Sequence, residues 1–453
     1  MIEKVTTKPV AEIATKATIA ATASSTNPTG RTIFNKLNKP RKMLCPLVDH
    51  SELAFRILMK KYGCDLAYTP MLNAKMFAKD HKYRVRNFGP LDGKHEMDRP
   101  LVVQFCSNDI DELIKSCEYV KDSCDMIDLN LGCPQNIARS GHYGSFLMED
   151  WPLIEKLIDG MHTAGLNNTC KIRIFSDIDK SLDYAQMCVN AGAKWIGVHG
   201  RMREQRGQAT GLADLDYVKY IKEKIVSKVK DSEGIEEQVV ISNGNMIYPE
   251  DINKVLEYTG CDAVMSGEGA LYNPGIYNYT EDDDVTTAEG LDKIKNKVFP
   301  RVDFILKEYY EIVLSVKDQS PASMKSFKSH VFKLLRPFFE KELDLRNEFG
   351  PMNKIFDESE EFKQWIDKIT KRIDQRIEEE PEMFKDEITL DDKNTTDEVK
   401  YYNIPFYRCQ PYFRVIDGVK NNERFDIMKE EMDDKEAFLQ KLKSKKQKIK
   451  DDY

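Results

Sequence analysis

Residues 126–147 read MIDLNLGCPQNIARSGHYGSFL, and they open on a short apolar run, Met126–Leu129, with the length and composition of a buried strand. Asn130 follows, then the tight turn Gly132-Cys133-Pro134, then a polar loop with two further glycines, Gly141 and Gly144. Free cysteines are usually buried as small hydrophobes. A thiol on a Gly-Pro turn at the end of a strand is instead presented to whatever lies beyond the strand.

The same unit, a short apolar run ending in polar or glycine-rich residues, recurs along the chain. The runs are Met43–Val48, Leu66–Thr69, Leu101–Phe105, Met126–Asn130, Lys171–Phe175, Trp195–Val198, Val239–Asn243 and Asp262–Ser266. Helix-length amphipathic stretches lie between them: Ser51–Lys61, Asp109–Lys121, Trp151–Thr163, Ser181–Asn190 and Pro249–Tyr258. Such alternation predicts an α/β fold with a parallel sheet. Eight units over this span match a (β/α)8 TIM barrel, which typically takes about 250 residues. A doubly wound sheet is the alternative, weakened by the lack of a G-x-G-x-x-G after the first run.

Barrel active sites are assembled from the loops at the C-terminal ends of the strands. Here each of those places carries candidate chemistry: Pro46-Leu47-Val48, Tyr68-Thr69-Pro70, Gln104, Asn130 with Cys133, Lys171 with Arg173, His199 with Arg201, Asn243-Gly244-Asn245, and Gly267-Glu268-Gly269. The last two turns are small and glycine-rich, and loops after strands seven and eight commonly bind phosphate through backbone N–H groups. They imply a phosphorylated cofactor, and FMN suits a barrel of this layout. Lys171, inside an apolar strand, is either an ion-paired lysine or a cation placed where a reduced flavin gathers negative charge. The Gln104 amide both donates and accepts, which fits it to a flavin ring edge. His199 reads equally as a hydrogen-bonded core histidine.

Composition bounds the rest. The chain has 453 residues with a formal net charge of −8. No apolar run is long enough to span a membrane. Ten cysteines without a C-x-x-C pair argue against zinc and against a disulfide framework, so no metal is expected. Charge is unevenly placed: residues 1–43 hold eight Lys/Arg against Glu3 and Glu12, and 441–450 hold six lysines and no acid. Residues 1–42 read as a disordered basic arm. A mitochondrial transit peptide is not expected, since no arginine precedes Arg31; the cytoplasm or the nucleus is. The barrel is placed at 43–285, a smaller helical domain at 286–350, and a charged, partly disordered C-terminal extension at 351–453. Helices are expected over 291–316 and 324–336. On the second, Lys325, Lys328, Lys333 and Arg336 share one face, a candidate surface for a nucleic-acid backbone or simply a solvated one. The aromatic stretch 401–418, with Arg408 and Arg414, reads as a β-hairpin packed on a core, with base stacking as the alternative.

The strand–N-x-G-C-P-x-N–loop–G-x-x-G segment resembles the signature of the tRNA-dihydrouridine synthases. The likeness extends over roughly residues 43–340, through Cys45-Pro46-Leu47-Val48, Asp49…Phe55-Arg56, Tyr68-Thr69-Pro70-Met71, Gln104, K-I-R, V-H-G-R and N-G-N. The resemblance implies FMN held by Pro46, Leu47, Val48, Gln104, Lys171, His199, Asn243, Gly244, Asn245, Gly267 and Glu268, with NADPH as reductant. It implies Cys133 as the proton donor to the uracil ring, and it turns Asn130, Arg173 and Arg201 toward the substrate. The basic face Lys325, Lys328, Lys333, Arg336 would then meet tRNA. The wording Y-T-P-M-L and L-N-L-G-C-P-Q is similar to the eukaryotic branch acting on uridines 16 and 17 of the D-loop, and a monomer is expected. One departure stands out: many bacterial members have Arg where this chain has Glu268. An anion there repels phosphate, so Glu268 is expected to contribute through its backbone with the carboxylate turned away. Two other readings compete: a dihydroorotate-dehydrogenase-type barrel acting on a free pyrimidine, which needs neither basic helix nor Lys-rich ends, and a non-enzymatic RNA-binding protein on a decayed barrel.

Overall fold

The computed structural model describes residues 28–206, 211–227, 230–231, 234–285, 287–356, 360–379, 404–412, 415–416 and 419–420. The eight apolar runs become eight parallel strands: β1 (Lys42–Leu44), β2 (Leu66–Tyr68), β3 (Leu101–Cys106), β4 (Met126–Leu131), β5 (Asn168–Arg173), β6 (Trp195–His199), β7 (Val239–Asn243) and β8 (Ala263–Ser266). Each pairs with the next, and β8 pairs back onto β1 with Met43 opposite Met265, so the sheet closes. Closure excludes the open doubly wound alternative. A two-residue strand, Leu72–Asn73, extends the C-terminal end of β3.

Helices form where the amphipathic stretches predict them. Their starts are written in the sequence, since the carboxylates of Asp109, Asp150 and Asp177 each accept a backbone N–H of the first turn. A further helix, Leu215–Lys224, was not evident from the alternation.

Successive strand residues point to opposite faces, which splits the apolar residues into two cores. Val103, Phe105, Leu129, Ile172, Ile196, Val198, Val240 and Val264 pack outward against the helices. Met43, Leu66, Tyr68, Val102, Met126, Trp195, Val239, Ile241, Ala263 and Met265 fill the interior. Further along the strands the inward positions become polar: Gln104, Asp128, Asn130, Lys171, Arg173, His199 and Asn243. The barrel is thus graded from an apolar floor to a polar mouth.

The floor is closed by α1 (Gly30–Lys36), which brings Ile33 and Phe34 against the interior core, with Phe34 edge-on to Trp195 at 6.3 Å. The expected basic arm therefore ends in a folded plug, tied by Arg31 to Asp262 at 2.6 Å. Residues 1–27 lie outside the described residues.

After the barrel, helices Ala288–Val298, Val302–Val316, Pro321–Leu334, Arg336–Lys341 and Leu343–Phe349 follow. The single helix expected over 291–316 is broken at Phe299-Pro300, where proline cannot continue the hydrogen-bond ladder. The helical unit does not stop at residue 350. Glu361–Glu379 buries Phe362, Trp365, Ile366, Ile369 and Ile373 in the same core, and so do Tyr407 and Cys409. Within the aromatic stretch, residues 404–412 form a turn that bridges Arg301 to Arg408, with Phe406 stacked on Phe338. Among the described residues, the hairpin there is no more than the minimal pair Val415–Ile416 and Val419–Lys420. The stretch 401–403, Arg414 and the Lys-rich 441–450 lie outside the described residues.

The barrel meets the helical unit at α2 (Leu53–Lys61). Glu52, at its cap, is buried; its carboxylate accepts from Tyr309 Oη at 2.6 Å and pairs with His330 Nε2 at 3.1 Å. His50 packs edge-on to His330 and accepts from Lys333 Nζ at 2.9 Å. Burial, with His330 and Lys333 close by, lowers the His50 pKa to about 4 from 6.5. His50 is therefore neutral in the fold, and below pH 6.5 the unfolded chain binds a proton that the folded chain refuses. Stability is expected to fall as pH drops from 6.5 toward 4. Allowing for the solvent access of His50, its share is about 1–2 kcal/mol. Urea melts of the wild type and His50→Gln across that range check this: the variant should show a flatter pH dependence, and parallel curves would contradict it.

Candidate active site

The mouth is organised around a chain of side-chain amides. Gln104 on β3 donates from Nε2 to Asp128 Oδ2 on β4 at 2.7 Å, and its Oε1 accepts from Asn130 Nδ2 at 2.8 Å. The register makes this possible, as Gln104 lies opposite Asp128. Asn130 Oδ1 then accepts from the backbone N–H groups of Gly132, 3.2 Å, and Cys133, 2.9 Å. The turn bearing the thiol is held by the side chain that precedes it.

Two more contacts fix that turn from outside. Cys133 O accepts from Ser145 N at 3.1 Å and Ser145 Oγ at 2.9 Å. Gly144 sits beneath at φ +64°, and a Cβ there would come within 2.9 Å of Cys133 O. This accounts for the second glycine of the loop.

Cys133 is half-buried, whereas the nine other cysteines are buried. Burial raises its pKa; the N–H of Gln135 and the cations Arg173 and Lys171 oppose the rise without cancelling it. The thiol is protonated at neutral pH. Nearby Cys45 is fully desolvated and pushed up to about 11.

Lys171 on β5 lies opposite Asn130 and Gly197, and the missing side chain at Gly197 leaves its aliphatic stem room. Only 8% of Lys171 is exposed, and its ammonium makes no hydrogen bond or ion pair among the described residues. Burial lowers its pKa, against the pull of Cys45 and Asp128. A buried cation without a partner is costly, and it suits an acceptor-rich ligand seated in the mouth. Asp128 shares this interior beside Lys171 and Thr169, with burial pushing its carboxyl up to about 7.

His199 Nε2 accepts from Arg201 Nη1 at 2.9 Å, which leaves the ring proton on Nδ1. Burial, then Arg173, Lys171 and Arg201, lower the His199 pKa far enough to keep it neutral.

Other expected site residues fall into three groups. Pro46, Leu47 and Val48 line the loop after β1, where Leu47 N donates to Ser51 Oγ at 2.9 Å. Gly267 approaches Cys45 and Leu47 so closely that a Cβ would sit 3.2 Å from each. Glu268 is exposed, with its carboxylate in the field of Lys333. Asn243 and Asn245 spend their side chains inside the protein: Asn243 Nδ2 donates to Met265 O at 2.8 Å, and Asn245 bridges both backbone groups of Ala213 at 2.8 Å. Gly244, at φ +127°, gives the turn its shape.

Arg173 and Arg201 are also committed internally. Arg173 donates to Gly132 O at 2.7 Å and Met202 O at 2.8 Å, so it clasps the loop after β6 to the Cys133 turn. Arg201 donates to Gly211 O at 3.0 Å as well as to His199. Arg203 and Arg206, which the sequence reading passed over, join the clasp. Arg203 donates to Ser145 O, and Arg206 to Pro134 O. The signal was present in R-M-R-E-Q-R directly after a strand end.

Each member of the basic face has an internal partner. Lys328 donates to Gly350 O and Met352 O, Lys333 to His50, and Arg336 lies 3.7 Å above the Tyr412 ring. Lys325 pairs with Asp49 at 2.7 Å, both well exposed.

The model of the dihydrouridine synthase (Dus) family matches residues 43–388. The chain belongs to that family. Among its relatives, the tRNA-dihydrouridine(16/17) synthase (NAD(P)(+)) of Saccharomyces cerevisiae is 47% identical over 398 residues, covering 87% of this chain and 89% of that protein. The Schizosaccharomyces pombe protein of the same name is 38% identical over 392 residues, 86% and 91% of the two chains. A human tRNA-dihydrouridine(20a/20b) synthase (NAD(P)+)-like protein is 35% identical over 240 residues, only 52% of this chain.

Among the described residues, no group of His, Cys, Asp and Glu is placed to hold a metal ion, and no helix is long and apolar enough to cross a membrane.

Proposed function

We propose that this protein reduces uridine to 5,6-dihydrouridine at positions 16 and 17 of tRNA, with FMN as cofactor and NADPH as reductant. The observation that carries the reading is the Lys171 side chain, 8% exposed and with an ammonium that makes no hydrogen bond or ion pair among the described residues, in a mouth that presents the protonated Cys133 thiol. The residues suit FMN: Lys171 would hold the electron-rich pyrimidine edge, the Gln104 amide would keep one N–H and one lone pair for the ring, and Gly267 leaves space beside Leu47. When bound, the flavin supplies the hydride for C6 of the uracil. Cys133 Sγ–H gives its proton to C5, closing the enolate. A stacked base cannot reach the mouth, so the target uridine is flipped out of its stack.

For tRNA, Lys325 is the member of the basic face that best suits phosphate contact, because an exposed ion pair with Asp49 is worth little and exchanges readily. Lys328 and Arg336 serve to hold the helical unit together, and Lys333 ties it to the barrel through His50.

The test is direct. The purified protein should be yellow, release FMN on denaturation, oxidise NADPH and convert D-free tRNA, with mass mapping showing the products at 16 and 17. A colourless protein without flavin affinity, or a flavoprotein inert on tRNA, would overturn it.

Lys171→Met should weaken FMN affinity by about 10–100-fold, the worth of a hydrogen bond to a charged group, and leave tRNA binding unchanged. Flavin titration and filter binding measure the two. Unchanged flavin affinity would return Lys171 to a structural role.

A further inference from the structure

We propose that Asp128 is a positioning residue for the proton-donating turn: it gives the amide chain Gln104–Asn130 a single direction, and that direction aims the Asn130 oxygen at the N–H groups holding Cys133. The inference rests on the reading of Cys133 as the proton donor. It assigns a task to a buried carboxylate that the chemistry itself does not use.

The argument is one of donor and acceptor counting. A carboxamide has two ends of opposite hydrogen-bonding sense and can be turned about with little change of shape. Gln104 and Asn130 therefore have two self-consistent arrangements. In the observed one, Gln104 Nε2 points at Asp128 and Gln104 Oε1 receives Asn130 Nδ2, which frees Asn130 Oδ1 for Gly132 N and Cys133 N. In the reversed one, Asn130 Nδ2 would face those two backbone N–H groups, donor against donor, and the turn would lose both of its hydrogen bonds to Asn130. An ionised carboxylate only accepts, so in that form, which the Gln104 N–H and the cation Lys171 favour against burial, Asp128 permits the first arrangement alone. Water cannot relieve a wrong choice, because Gln104 and Asp128 are 0% exposed and Asn130 7%. If Gln104 also touches the flavin, as the proposed function has it, one side chain would join the seat of the hydride donor to the seat of the proton donor.

Asp128→Asn removes the direction while keeping size and shape, since a carboxamide at that position can offer either end to Gln104. The double variant Asp128→Asn with Gln104→Glu restores it. A carboxylate at position 104 only accepts, so it takes one N–H from the carboxamide at position 128 and one from Asn130, and Asn130 Oδ1 again faces the turn.

The experiment uses the full-length protein as purified, with flavin content and thermal melts recorded for each variant. Iodoacetamide alkylation of Cys133, read by peptide mass, reports the turn; it is selective because the other cysteines are buried. Rapid mixing separates flavin reduction by NADPH from the subsequent reduction of tRNA uridine. For Asp128→Asn we expect an altered Cys133 alkylation rate and uridine reduction slowed by about 10–100-fold, the order expected of a small misplacement. Flavin reduction should change little. The double variant should return the alkylation rate toward wild type. A folded Asp128→Asn protein with wild-type alkylation and wild-type uridine reduction overturns the proposal, as does a double variant no closer to wild type than the single one. A wild-type protein that reduces no uridine would defeat the functional reading instead, and the alkylation comparison would still judge the role of Asp128.

Discussion

Replacing Cys133 by alanine is expected to slow uridine reduction by about 10²–10⁴-fold, the usual contribution of a positioned general acid. Flavin binding and its reduction by NADPH should stay close to wild type, because the proposed task of the thiol comes after the flavin is reduced. The backbone of residue 133 keeps its contacts with Asn130 and Ser145, which do not involve the side chain. Single-turnover mixing with D-free tRNA separates the two steps. A loss below about tenfold would mean that another group supplies the proton. Cys133→Ser is a useful companion, since a hydroxyl fills the space but is a far weaker acid.

The second large effect is on stability. Arg56 on α2 is fully buried, with Nε and Nη2 forked onto the Asp98 carboxylate at 2.7 and 2.6 Å and Nη2 also on Asp92 at 2.7 Å. Asp98 and Asp92 in turn accept from Gly93 N and Gly89 N, so one guanidinium pins the whole 89–98 segment beside the barrel. Burial already pushes Asp92 up to about 6 despite Arg56. Arg56→Met would leave two buried carboxylates uncompensated, at a cost of about 3–5 kcal/mol. Arg56→Lys cannot rebuild the fork and should recover only part of it. Urea unfolding of the three proteins measures this, and a loss under about 1 kcal/mol would show that the segment relaxes to let water reach both acids.

The barrel was legible because its strands are short, apolar and regularly interrupted, and closure needs no more than their number and order. The Cys133 turn was legible because glycine and proline around a cysteine leave it little choice of conformation. Asp128 was not: within Met126–Leu131 it reads as a blemish in an apolar run, and it gains meaning only once the register sets it opposite Gln104. The periodic contrast was there, since Asp128 and Asn130 alternate with Ile127 and Leu129. The partners of the basic face were hidden for the opposite reason. Helical spacing put four cations together but carried no information about Asp49, His50, Gly350 and Tyr412, which come from distant parts of the chain to meet them. Likewise, Glu361–Glu379 is so rich in charge that its one buried stripe of aromatic and isoleucine side chains did not announce a continuing core.

The plug formed by Gly30–Lys36 sets where the protein can be trimmed. The shared family region begins at residue 43, after the helix that seals the barrel from below. A chain cut to that region would keep every side chain of the mouth yet leave Trp195 and its neighbours facing solvent through the opposite end. The family match and the sealed barrel therefore begin at different residues, and a cut placed by the first would open the floor of the second.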